Sequence, residues 1–94
     1  MALYLVSYDI AKEDSDEYKP LWEKLEELGA TKILFSEWLV KGKTGQASDL
    51  YSELAPLLMK KDRLLVQEVT KDAQFDRLLI KDSEFEKLLK SARV

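Results

Sequence analysis

The chain contains no cysteine and no histidine. Disulfides and thiolate nucleophiles are therefore excluded, as are a histidine general base and a zinc site of the usual nitrogen–sulfur type. The lack of disulfides fits a reducing compartment. Only three glycines and two prolines occur in 94 residues, and no glycine-rich phosphate loop is among them. No apolar run is long enough to span a bilayer, and the first residues lack a signal peptide's charged start and hydrophobic stretch. A cytoplasmic protein without membrane contact is the expectation. Positive charge is in deficit, with 15 Lys and Arg against 18 Asp and Glu and a net charge of −3. That is the wrong sign for binding nucleic acid through the overall field, although a local basic patch stays open.

What remains is an ordinary globular composition, 46% apolar and 35% charged, sized for one compact domain. A chain this small buries roughly 60–65% of its unfolded surface, so self-association would add materially to its stability. The opening is its most telling stretch. An apolar strand from about Ala2 ends on Asp9, placing a carboxylate at the carboxyl end of what should be a central strand. A polar loop over residues 11–16 leads to a helix with Tyr18, Leu21, Trp22, Leu25 and Leu28 on one stripe. Their spacing of three and four is helical. Pro20 is tolerated only in the first turn, and Gly29 suits a left-handed cap.

Residues 31–43 are β-rich and split into strands over 31–35 and 38–41, with a turn at Ser36-Glu37. A second helix, N-capped by Thr44, carries Ala47, Leu50, Tyr51, Leu54 and Leu58, with Pro56 closing its regular part near Ala55. Arg63–Thr70 reads as a further strand and Arg77–Ile80 as a short fifth one. Ser83-Glu-Phe-Glu86 has the form of a capping box opening a last helix through about Lys90.

The order β-α-β-β-α-β with right-handed crossovers predicts an α+β, ferredoxin-like sandwich: an antiparallel sheet with both helices on one face. Residues 1–70 form the core and residues 71–94 a C-terminal strand and helix. Apolar side chains point to both faces of the sheet: Tyr4, Val6 and Tyr8 against Leu3 and Leu5, and Leu64 and Val66 against Leu65 and Val69. The face without helices would be a large apolar patch. Either a second copy about a two-fold axis or the C-terminal extension must cover it.

Asp9 has two readings. It can cap the following loop through backbone amides, or it can serve as a ligand for a hard cation such as magnesium, manganese or calcium. A lone aspartate is a poor site, and a two-fold dimer joined near the strand ends would supply a second one. Glu13, Asp14 and Asp16 read as a solvated loop with an N-cap, with extra metal ligands as the sharper alternative. Ser36 and Glu37 lie at a turn. A serine nucleophile needs a base, so Ser36 reads better as a turn hydroxyl. Lys41, Lys43, Lys60, Lys61 and Arg63 could share one end of the domain near Trp38, as a nucleic-acid contact or simply as soluble surface. Trp22 reads as core.

Several of these residues together resemble a known family. Tyr4-Leu-Val-Ser-Tyr-Asp-Ile10, a first helix ending at Leu28-Gly29, Ser36-Glu37-Trp38-Leu39-Val40 and Asp62-Arg-Leu-Leu-Val66 are similar to segments of the CRISPR-associated Cas-Two endonucleases. The likeness is greatest to their SinR-like relatives and spans roughly residues 2 to 70. It implies a ferredoxin-like homodimer in which Asp9 of both subunits meets at a magnesium or manganese site. It also implies nuclease action on RNA or DNA, or a structural role beside a protein partner. Asp9 matches the family's strand-end aspartate and Ser36 its hairpin serine, the two residues the resemblance marks as catalytic. Where nuclease members carry arginines at the start of the first helix, this chain has Glu17, Tyr18 and Lys19. The other reading is a non-catalytic dimeric module that binds nucleic acid or protein.

Overall fold

The computed structural model describes residues 1–11 and 15–94; Glu13 and Asp14 of the acidic loop lie outside them. The elements in order are β1 (Ala2–Asp9), α1 (Lys19–Glu27), β2 (Thr31–Leu34), β3 (Glu37–Gly42), α2 (Ala47–Leu54), β4 (Arg63–Val69) and α3 (Asp82–Leu89). Short 3-10 turns precede α1 over Asp16–Tyr18 and follow α2 over Ala55–Leu57. The protein is thus an α+β fold. Its one four-stranded sheet has the order β2-β3-β1-β4, and every neighbouring pair is antiparallel.

Strand β1 is central because it is apolar on both sides. On its first face Ala2, Tyr4, Val6 and Tyr8 are buried with Trp38 and Val40 of β3, Leu21 and Leu25 of α1, and Leu50 and Leu54 of α2. The helices reach this layer through the stripes their sequences carry. Gly29 ends α1 with φ +76°, its N–H bonded to Glu26 O and that of Ala30 to Leu25 O. This is the paired-bond geometry of a left-handed glycine cap, which a Cβ would strain. Pro20 sits in the first turn of α1. Regular α2 ends at Leu54, just before Pro56. Thr44 is not the cap of α2: Gln46 holds that position and makes no side-chain cap bond. The Gln46 side chain instead accepts the Lys43 N–H, and its backbone N–H goes to the Tyr4 hydroxyl.

The second face is roofed in part by the chain's own C-terminal segment. Leu3, Ile33 and Leu39 are buried there with Phe85 and Ala92, while Phe75, Leu78, Ile80, Leu88 and Leu89 pack around them. The rings of Phe75 and Phe85 meet at 4.4 Å. Residues 77–80 form no strand. Arg77 takes φ +53°, which breaks an extended run, and one bond from the Leu79 N–H to Ile33 O (2.9 Å) ties the segment to β2. Nor does Ser83 cap α3. That helix starts one residue earlier, at Asp82, with Lys81 in the cap position and no side-chain bond to it. The far end of the segment is fastened by a bidentate pair between Arg93 and Glu68 and a parallel bridge from Thr70 to Arg93.

Two outcomes follow for this roof. Phe85→Ala should lower unfolding stability by about 3 kcal/mol in urea titrations, as buried phenylalanine deletions do. The Arg93 hydrogen bond holds Glu68 below its ordinary carboxylate pKa. Its stabilisation is therefore present above the unfolded-state value and lost as pH falls through the folded one. Glu68→Gln should flatten that acid-side loss; an unchanged acid limb in the variant would show that the pair contributes nothing.

Candidate functional site

The roof stops short. Along the second face of β1, Leu3 is buried, Leu5 and Ser7 are half-buried, and Asp9 is exposed. Strand β4 follows the same gradient, from half-buried Val69 to exposed Gln67, Leu65 and Arg63, with Leu65, which pairs with Ser7, 51% exposed. The bare half of the face is therefore the half that carries Asp9.

Its side chains are set by register. Asp9 lies opposite Arg63, and Ser7 between Glu37 and Leu65; in an antiparallel pair such partners share a face. Arg63 Nη1 approaches Asp9 Oδ2 at 3.4 Å with both side chains more than 70% exposed, and an ion pair this wet is worth little. Ser7 Oγ donates to Glu37 Oε2 at 3.0 Å. The loop that Asp9 would cap through backbone amides includes residues 12–14, which lie outside the described residues.

Ser36 is brought to the same end of the sheet, because its carbonyl accepts the Tyr8 N–H at 3.1 Å. Asp9 and Ser36 thus flank one strand end, joined through backbone. Behind them the Tyr18 hydroxyl donates to Asp62, whose Oδ2 also accepts the Met59 N–H at 2.8 Å. Burial, then the bond to Asp62, raises the Tyr18 phenol above its ordinary pKa, and the shared Asp62 carboxylate ties Tyr18 to the turn before β4.

The donor set for a hard cation is sparse within one copy. Such ions take six or more oxygens, and among the described residues no three Asp or Glu side chains converge as ligands. Asp9 offers one carboxylate, with Glu37 on the adjoining strand a diagonal step away and Arg63 competing for it. The basic residues do not share an end. Lys41 pairs with Leu3 and Arg63 with Asp9, so six residues of β1 separate them, about 20 Å at strand rise.

A second site escapes sequence reasoning. Trp22 is only half-buried and lines a groove of about 550 Å³ with Asp16, Lys19, Glu26, Lys32, Phe35 and Trp38. The indoles of Trp22 and Trp38 are nearly parallel, 12° apart with centroids at 6.5 Å. Lys32 Nζ lies over both, at 5.7 and 6.0 Å. The available signal was Lys32 itself, a lysine opposite Trp38 at an inward-facing strand position.

No protein-family model matches the chain. Among the described residues, no helix is long and apolar enough to cross a membrane.

Proposed function

We propose that the protein is a ferredoxin-like homodimer acting as a non-catalytic interaction module, its two copies joined through the bare half of the second sheet face. The observation that carries this reading is the incomplete roof: Leu65 remains exposed and Leu5 only half-buried beside Asp9, Arg63 and Glu37. A two-fold axis there would bury the leucines and set Asp9 of each copy against Arg63 of the other, a self-complementary pattern of the kind an isologous interface requires. The sheet order β2-β3-β1-β4 with α1 and α2 on one face supports the ferredoxin-like assignment. The resemblance described above supplies nucleic acid, or a protein that handles it, as the partner class, and an intracellular setting.

A second reading is a magnesium- or manganese-dependent endonuclease, favoured by the placement of exposed Asp9 on that same bare face. In it the Asp9 carboxylates of both copies would hold the cation, which would polarise a phosphodiester and supply an activated water. Ser36, at the same strand end, would bind or orient substrate. The module reading is preferred because each copy brings one such carboxylate, already facing Arg63.

Light scattering at micromolar concentration should give a dimer for the wild type and a folded monomer for Leu65→Glu. A wild-type monomer contradicts the proposal. RNA and duplex DNA should survive incubation with magnesium or manganese. Cleavage that Asp9→Asn abolishes would establish the second reading instead.

A further inference from the structure

The aromatic groove between α1 and β2 has no part in the proposed dimer, and its chemistry is distinct. We infer that it is a binding site for a quaternary or methylated ammonium group, with Lys32 as the built-in occupant that such a ligand displaces.

The groove already holds an ammonium. Lys32 Nζ is placed against the faces of Trp22 and Trp38, where the ring quadrupoles attract a cation; the attraction is about 0.5–1 kcal/mol at a partly exposed site and more when water is excluded. The walls are fixed around it. Tyr8 and Tyr18 brace Trp22 at 5.5 and 6.2 Å. The indole N–H of Trp38 donates to the Tyr8 hydroxyl at 2.9 Å. A third ring, Phe35, stands 72% exposed on the rim with no ring partner among the described residues.

Charge decides the class of ligand. Asp16 and Glu26 line the groove and form no ion pair among the described residues. The exposed side of α1 adds Glu23, while Glu27 beside it is paired with Lys24. Lys19 and Lys32 offset two of the three carboxylates Asp16, Glu23 and Glu26, which leaves the rim with an excess of one negative charge, unfavourable for a phosphate backbone and favourable for a cation. A primary ammonium would forfeit hydration in an aromatic slot, whereas a methylated one is weakly hydrated and gains dispersion contact with every wall. At about 550 Å³ the groove has ample room for a trimethylammonium head.

Both tryptophans of the chain line this groove, so tryptophan fluorescence, excited beyond the tyrosine band, reports on it. Choline chloride titrated into the full chain at constant ionic strength should give a saturable change. The neutral carbon isostere of choline should bind about two- to five-fold more weakly, since only the cation–π part differs. Lys32→Met should tighten choline about five-fold by removing the competitor. Glu26→Gln, on the exposed side of the helix, should weaken it several-fold without moving the urea midpoint. A trimethyllysine peptide should compete with choline, and its unmethylated form should not. Equal binding of the isostere would reduce the groove to an apolar slot and overturn the inference. So would the lack of a saturable response in both wild type and Lys32→Met.

Discussion

Strand β1 is greasy on both sides, and the architecture answers to that single constraint. Tyr4, Val6 and Tyr8 demand one cover, and Leu3 and Leu5 demand another. A strand buried on two faces belongs in the middle of a sheet, which is where β3 and β4 flank it. The two helices between strands supply the first cover through stripes of leucine and tryptophan. A 24-residue C-terminal segment has to supply the second, and it reaches only part of the way. Function is sought where that cover ends, because a bare apolar surface beside fixed charges is what a partner can recognise.

The segment itself is a weakly specified structure. Its grip comes from Phe85 and Phe75, one bond to β2 and the Arg93–Glu68 pair. Under it lies a cleft of about 350 Å³ lined by Leu5, Ile33, Leu39 and Phe85, and among the described residues its cluster has five buried members against eleven in the layer beneath the helices. A smaller buried cluster is the expected result when two helices, of nine and eight residues, cover the first face and a single eight-residue helix with irregular flanks covers the second.

Much of this was legible in the residues. Helical spacing in 18–28 and 47–58, Gly29 as a left-handed cap, Pro56 as a stop and the two-sided β1 all act locally, and each is found where its pattern points. The expectations that failed depend on tertiary context. Leu78 and Ile80 have strand-like composition, yet they meet the sheet face with their side chains, and Arg77 turns the chain out of an extended path. Ser83 offers a capping hydroxyl, but the cap position falls two residues sooner, on extended Lys81, so Ser83 lies inside the first turn of α3. Lysines at 41 and 43 look close to Arg63 in composition only; antiparallel register puts them at opposite ends of β1. The strand-end position of Asp9 was readable. Its exposure and its facing of Arg63 were not, since they depend on where the roof gives out.

Because the chain has no native cysteine, one introduced thiol can mark the bare face uniquely. Spin labels at Leu65→Cys, read by pulsed dipolar spectroscopy, test the account most directly. Two copies joined sheet to sheet, about 10 Å apart, should give one narrow distance shorter than about 25 Å including the label arms. A cysteine at exposed Glu23 on α1 should give a longer one. Labels at residue 65 with no intermolecular coupling, or a shorter distance at residue 23, would contradict the claim that the unroofed half of the sheet is where two copies meet.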